Sequence, residues 1–145
     1  MANEFALNLQ DASLNPATWA LPTQVGESNG KKSAAVDLGA DTFKIARMEV
    51  ELSIPALSDT IAPAGSTAGV FSEMWVTGSS TLDLSAATAQ VIAKRNYVGT
   101  GSGVAATVLR CRVPSNSPRY MCGKVWLGTT ATDASAVAAT LTLRF

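Results

Sequence analysis

The chain has 145 residues, of which 47% are hydrophobic and 15% charged, and its eleven basic and eleven acidic residues give a formal net charge of zero. This length suits one domain with its own core. The zero charge argues against a nucleic-acid-binding protein, because such a protein needs a basic face to displace counterions from phosphate. It also removes long-range repulsion between copies, so we expect other subunits to cover part of the surface.

No stretch reaches the ~20 apolar residues of a membrane-spanning helix. The first residues, Met-Ala-Asn-Glu-Phe-Ala-Leu, carry an acid where a signal peptide would carry bases, and they contain no continuous apolar run. We therefore expect synthesis in the cytoplasm and no membrane partner.

Residues 1–34 have no regular pattern, and we expect them to form an arm and loop ahead of a β-sandwich domain at 35–145. Phe5, Leu7 and Leu9 alternate and could form a short strand. Trp19 and Leu21 are large apolar groups in this irregular segment. They either close one end of the core or dock on a neighbouring subunit.

Alternation of apolar and polar residues predicts most of the strands. A short strand is predicted at Ala34–Gly39 and a longer one at Phe43–Leu57, which Pro55 either ends or places at a sheet edge. The apolar face of the longer strand consists of Ala46, Met48, Val50, Leu52 and Ile54. Its other face includes Arg47, Glu49 and Glu51.

The middle of the chain is less regular. Residues 58–69 read as a loop, and Val70–Thr77 reads as a strand with Phe71 and Trp75 on one face. Leu82–Lys94 is the one plausible helix, but a strand over Ala89–Ala93 has equal support. Tyr97–Val104 is glycine-rich and reads as a flexible loop.

The last third contains three strand-like runs, over 105–113, 119–128 and 137–145, and the last two read as a hairpin. The final run alternates cleanly, with one face formed by Val137, Ala139, Leu141, Leu143 and Phe145. Cys111 and Cys122 lie on strands that appear consecutive along the chain, but on opposite faces. We therefore expect free thiols, as in a cytosolic protein, whereas a bulge that shifts one strand by a residue would allow a disulfide.

Seven or eight short strands separated by Gly, Pro, Ser and Thr predict an all-β, antiparallel sandwich or barrel. The long arm and long crossing loops favour a jelly roll over an up-and-down barrel. No internal repeat or domain linker is visible.

The sequence contains no histidine, which removes the commonest general base and metal ligand. Glu49 and Glu51 have a spacing that nominally suits an inverting glycosidase. They read instead as a solvated face, in which they pair with Arg110 and Arg112 of a neighbouring strand. The aspartates have no calcium-loop spacing, and the glycine-rich loop lacks the phosphate-loop pattern. We expect no catalytic, metal or cofactor site, and no enzyme.

The aromatic side chains are the best candidates for contact with partners, through sugar or protein. Tyr120 and Trp126 lie opposite the apolar face of their strand, so a second layer, either the arm or another subunit, should cover them. Nine residues form the candidate interface set: Phe5, Leu7, Leu9, Trp19, Leu21, Trp75, Tyr97, Tyr120 and Trp126.

Three motifs in order carry a family resemblance: Val36–Gly39 (Val-Asp-Leu-Gly), a long alternating strand ending near Pro55, and Pro118–Trp126 (Pro-Arg-Tyr-Met-Cys-Gly-Lys-Val-Trp). Together with the alternating carboxyl-terminal strand, they resemble the capsid decoration, or cement, proteins of tailed bacteriophages. The resemblance covers most of the chain with short motifs.

The resemblance implies a β-rich, jelly-roll-like virion protein on the capsid exterior. It implies a dimer or trimer that contacts the major capsid protein and locks capsid subunits together. The arm and the loops at 58–69 and 96–104 would make these contacts. Two alternatives stay open: a carbohydrate- or receptor-binding module that uses Trp75 or Tyr97, and another minor capsid or tail protein.

Overall fold

The structure, a computed structural model, describes residues 17–38, 48–85, 89–129 and 131–144, without the side chains of 66–68. Within these ranges the regular structure is almost entirely β. The nine strands are β1 (Ala17–Ala20), β2 (Lys31–Lys32), β3 (Val36–Asp37), β4 (Glu49–Ile54), β5 (Gly65–Thr77), β6 (Ala89–Gly99), β7 (Thr107–Arg112), β8 (Tyr120–Leu127) and β9 (Ala138–Arg144). A single 3₁₀ turn at Glu27–Asn29 precedes β2.

The strands form two antiparallel sheets. The four-stranded sheet has the order β1-β9-β4-β7, and the five-stranded sheet has the order β2-β8-β5-β6 with β3 also paired to β8. β2 and β3 pair with successive parts of β8 and together occupy one strand position, so each sheet has four positions. The order of these eight positions is that of a jelly roll. The prediction of an all-β, jelly-roll-like sandwich is confirmed.

The core lies between the sheets and follows the alternation in the sequence. Val50, Leu52 and Ile54 of β4 are at most 2% exposed, and Leu141 and Leu143 of β9 lie beside them. From the opposite sheet, alternate residues of β8 and β5 face inward. Those with apolar side chains are Val70, Met74, Val76, Met121, Val125 and Leu127.

Residues 17–34 are not the irregular arm that the sequence suggested, because they add strands to both sheets. β1 pairs with β9, and β2 pairs with β8. Leu21 is 1% exposed, and Trp19 packs against the core while its indole N–H donates to the carbonyl of Lys31 at 3.2 Å. Of the two roles considered for this pair, closure of the core agrees with the structure. Phe5, Leu7 and Leu9 lie outside the described residues.

The predicted hairpin between the last two strands is wrong. β8 belongs to the five-stranded sheet and β9 to the four-stranded sheet, so the chain crosses the core between them. The strand of Cys111 and the strand of Cys122 are likewise in different sheets. Both cysteines are free, as predicted.

The helix considered for 82–94 is absent from the described part of that segment, where a strand over 89–93 is confirmed. β6 continues to Gly99, however, so Tyr97 lies in a strand and not in the predicted flexible loop. β5 also begins at Gly65, inside the predicted loop. Pairing with β5 stabilises an extended conformation that the local glycine content alone does not favour.

Candidate binding face

The outer face of the five-stranded sheet, which is turned away from the core, carries a cluster of partly exposed aromatic side chains. Its members come from neighbouring strands, because the register places Trp126 beside Phe71, and Cys122 beside Trp75. Between these two rows lies a third, in which Lys124, Glu73 and Lys94 are neighbours. We call Phe71, Glu73, Trp75, Lys94 and Trp126 the aromatic face.

Glu73 is the centre of the aromatic face. It is 1% exposed although it points away from the core. The indole N–H of Trp75 donates to its Oε2 at 2.9 Å, and the indole N–H of Trp126 donates to its Oε1 at 3.5 Å. Lys94 Nζ lies 2.8 Å from the same Oε1. One buried carboxylate therefore orients two indole rings and one ammonium group.

The ionisation of Glu73 follows from these contacts. Burial acts to raise the pKa of Glu73, but the hydrogen bonds from Lys94 and Trp75 outweigh it and leave the pKa below its ordinary value. The same contact with Glu73 raises the pKa of Lys94. Both groups are therefore charged at neutral pH and form a pair whose net charge is zero.

Trp126 also stacks on Phe71, with 3.6 Å between ring centroids and 2° between ring planes. Each ring uses one face for this contact, and Lys94 Nζ lies 5.9 Å from the centroid of Trp126. Stacking and hydrogen bonding together fix the indole in one orientation. The contacts with Phe71 and Glu73 therefore hold the Trp126 ring in place without a ligand or partner.

The loop at 78–85 covers the other end of this outer face. Thr77, which is fully buried, donates from its hydroxyl to the carbonyl of Asp83 at 3.2 Å, and Lys32 Nζ donates to the carbonyl of Leu82 at 2.8 Å. Leu82 is 5% exposed and has a φ of 55°, which is unusual for a non-glycine residue. The loop therefore covers one end of the outer face of the five-stranded sheet and leaves the aromatic face uncovered.

Only some of the interface residues that the sequence predicted lie on this outer face of the five-stranded sheet. Trp75 and Trp126 belong to the aromatic face, and Tyr120 lies on the same outer side of the sheet, beside Thr77. The sequence predicted this side for Tyr120 and Trp126. Tyr97 does not lie on this side, because its register partner is the core residue Val70 and its hydroxyl is buried without a hydrogen-bond partner. Trp19 and Leu21 face the core instead of solvent.

Sequence reasoning missed Phe71, Glu73 and Lys94 as members of the site. A signal was present, because Phe71, Glu73 and Trp75 are spaced by two and so share one face of β5. Lys94 could not be found in this way, since its place beside Glu73 depends on how β6 pairs with β5. A bulge between Met74 and Trp75 also shifts that register.

The outer face of the four-stranded sheet has the charge pairs that the sequence predicted. Glu49 pairs with Arg112, and Glu51 pairs with Arg110, in direct register. Arg144 also binds Glu51, with 3.0 Å between Nε and Oε2. Burial acts to raise the pKa of Glu51, but the two arginines outweigh it and lower the pKa. The carboxylate of Glu51 is thus engaged by two guanidinium groups.

In the parts of the chain that the structure describes, no three His, Cys, Asp or Glu side chains converge in a way that could hold a metal ion. Over the same parts, no helix has the length and hydrophobicity needed to span a membrane.

No protein-family model and no curated protein matches the chain. Among solved structures, a mitogen from Yersinia pseudotuberculosis is 8% identical with a TM-score of 0.42, and the comparison covers 89% of this chain and 84% of that one.

Two xylan-related structures are also similar. One contains the CBM22-1 and GH10 modules of xylanase 10B from Clostridium thermocellum, with 12% identity, a TM-score of 0.35, and coverage of 91% of this chain and 25% of that one. The other is the CBM22-1 xylan-binding domain of Xyn10C from Paenibacillus barcinonensis, with 12% identity, a TM-score of 0.34, and coverage of 89% and 70%. At these TM-scores the similarities carry no argument about the fold or the function of this chain.

Proposed function

We propose that the protein is a non-catalytic structural component of a phage virion, which decorates the capsid exterior and stabilises it by bridging capsid subunits as a homo-oligomer. The sequence resemblance suggests this role, and the lack of histidine is consistent with a non-enzymatic one. Two motifs of that resemblance are neighbours in the fold, since β3 pairs with β8 and Asp37 binds Arg119. The fold is compatible with the role but does not decide it, because jelly rolls serve both viral capsids and lectins.

The observation that carries the homo-oligomer is the side of the sandwich formed by β6 and β7. Each is the last strand of its sheet among the described residues. Val91, Val98 and Val108 are the large hydrophobic side chains that are most exposed in these residues, at 36%, 49% and 42%, and all three lie on these two strands. Edge strands with exposed apolar groups are ready sites for pairing with another chain.

A second copy of the chain is the proposed occupant of this edge. β6 is 11 residues long, which is sufficient for an extended intermolecular ladder. Because the net charge of the chain is zero, two copies do not repel one another as highly charged chains would. The charged side chains of Lys94 and Arg95 on β6 would restrict the registers in which a partner strand can pair with it.

The loops expected to contact the capsid meet at one end of the sandwich. Leu57, directly before the loop at 58–64, forms a β-bridge with Val104, at the end of the loop at 100–104. Thr132, from the loop after β8, donates from its hydroxyl to the carbonyl of Thr60 at 2.8 Å and from its backbone N–H to the carbonyl of Ile61 at 2.9 Å. Three loops are thus tied into one surface, and several such surfaces in an oligomer would bind a lattice by multivalency.

Light scattering and capsid co-sedimentation test the proposal. Wild-type protein should be a dimer or trimer and should sediment with capsids. Val98→Lys should shift it toward monomer, since a desolvated lysine opposes edge pairing. Thr18→Lys, on the outer face of the other sheet, is the matched control and should leave the oligomer intact. A strictly monomeric wild-type protein that ignores capsids contradicts the proposal.

A carbohydrate-binding role is the second candidate, and the aromatic face is the observation that favours it. Fixed aromatic rings beside polar side chains are typical of small-ligand sites. A glycan array tests this role directly, and the absence of any hit would count against it.

A further inference from the structure

We propose that the aromatic face binds neutral saccharides, as opposed to acidic polysaccharides or a protein partner. This inference rests on the second candidate function and gives it a site and a ligand class. The observations that carry it are the burial of Glu73, the charge balance of the face, and the order of its rows.

The burial of Glu73 makes the site preorganised. A carboxylate that is 1% exposed on the outer side of a sheet loses hydration, which costs stability unless its partners compensate. Here the partners are two indole N–H groups and one lysine, so the pairing of Glu73 fixes ring orientation. A ligand that binds fixed rings loses less conformational entropy than one that must order them.

The charge balance points to a neutral ligand. Two of the three lysines along this row have carboxylate partners, Lys94 with Glu73 at 2.8 Å and Lys124 with Glu27 at 3.8 Å. The third, Lys32, is the register partner of Lys124 and donates to the carbonyl of Leu82 at 2.8 Å, under the loop at the far end of this outer face. The side chain of Lys94 is nevertheless 52% exposed, and an ammonium has three N–H donors, of which Glu73 takes one. The ammonium groups nearest the indole rings are therefore paired with carboxylates, so the aromatic face offers hydrogen-bond donors to a neutral ligand with little attraction for an acidic polymer.

The order of the rows argues against a protein partner. The centre of a protein–protein interface is depleted of charged residues, which lie at its rim. Here the charged row of Lys124, Glu73 and Lys94 runs between the row of Trp126 and Phe71 and the row of Trp75. A sugar ring suits this order, because its C–H groups pack on aromatic rings while its hydroxyl groups hydrogen-bond with neighbouring polar side chains.

Asn96 supports the same ligand class. It is the register partner of Phe71 on β6 and is exposed. Its amide can donate and accept hydrogen bonds, as sugar hydroxyl groups require. Lys94 and Asn96 thus place exposed hydrogen-bonding groups beside the stacked rings of Phe71 and Trp126 along β6.

Calorimetric titration with hexasaccharides of glucose, mannose, galactose and N-acetylglucosamine tests the proposal, with heparin and polygalacturonate as acidic probes. At least one neutral probe should bind, with an affinity that changes less than about twofold between low and high salt, since no ion pair forms. Trp126→Ala should weaken this binding at least about tenfold. Trp19→Phe is the matched control and should bind like the wild type, because Trp19 packs against the core.

Tryptophan fluorescence keeps the test valid if Trp126→Ala does not fold. The bound sugar should change the emission of the wild type and of Trp19→Phe to a similar extent, and Trp126→Phe should reduce the change. The absence of binding by every neutral probe at millimolar concentration overturns the proposal, as does salt-sensitive binding of the acidic probes alone. If Trp126→Ala instead releases the protein from capsids and no saccharide binds, the face is a protein contact, and the proposal fails while the virion role stands.

Discussion

Arg119 binds Asp37 through two hydrogen bonds, from Nε to Oδ1 at 2.9 Å and from Nη2 to Oδ2 at 2.8 Å, across 82 positions of sequence. This contact joins the start of β8 to β3 at the edge of the five-stranded sheet. Its two parallel bonds match the fork geometry of a guanidinium group on a carboxylate. Arg119 also lies over the ring of Tyr120, at 5.4 Å from its centroid.

We expect the coupling between these two residues to be small and sensitive to salt. Both side chains are about half exposed, at 52% and 47%, so water and ions screen the pair. A double-mutant cycle with Asp37→Ala and Arg119→Ala, followed by urea unfolding, measures the coupling. It should shrink at ~1 M salt, where the Debye length is about 3 Å, and a coupling that persists unchanged would contradict this expectation.

Gly123→Ala should destabilise the fold by about 1–3 kcal/mol, as overpacking of a core does. A Cβ at this position would lie 2.7 Å from Cη2 of Trp19 and would also collide with Leu52. Both neighbours belong to the packed interior, so neither can move freely. Chemical unfolding measures the change in the free energy of unfolding.

The matched control for that substitution is Gly78→Ala. A Cβ at Gly78 meets nothing within 4 Å, and the change should stay within about 0.5 kcal/mol. Equal effects of the two substitutions would show that the contact between Gly123 and Trp19 is not tight in solution.

Stability should fall in acid in part because of Glu73. Its folded pKa lies below the ordinary value of 4.5, so its contribution is fully present above that value and is lost as pH falls through the folded pKa. Thermal unfolding from pH 7 to pH 3 should show a Tm that is steady at first and then declines. Glu73→Gln should lower the Tm near neutral pH and reduce the acid decline, and a decline parallel to that of the wild type would argue against this role.

Cys122 should be almost unreactive in the native protein. It is fully buried, and burial raises the pKa of its thiol to about 11, so little thiolate is present at pH 8. Ellman's reagent should titrate two thiols in denaturant, and Cys122 in the native state should react only as fast as the protein opens. Cys122→Ser identifies which thiol reacts, and rapid native labelling of Cys122 would contradict the burial of this residue.

The local pattern of the chain was enough to predict strand faces but not strand partners. The alternation in Val50, Leu52 and Ile54 correctly placed these residues in the core, and the charges of Glu51 and Arg110 correctly predicted their pairing. The pattern of β8 and β9 could not show that they belong to different sheets, because a turn and a crossing loop have similar composition. Tyr97 was misplaced for a related reason, since pairing with β5 extends β6 through a glycine-rich region.

The aromatic face shows the same division between local and long-range information. Sequence alone determined that Tyr120 and Trp126 lie opposite the apolar face of β8 and that Phe71 and Trp75 share one face of β5, because side chains alternate along a strand. It also determined that histidine chemistry is absent. Only the tertiary structure decided that Glu73 would orient Trp75 and Trp126 and neutralise Lys94. These contacts join three strands, and their register depends on long-range pairing and on a bulge that no local pattern specifies.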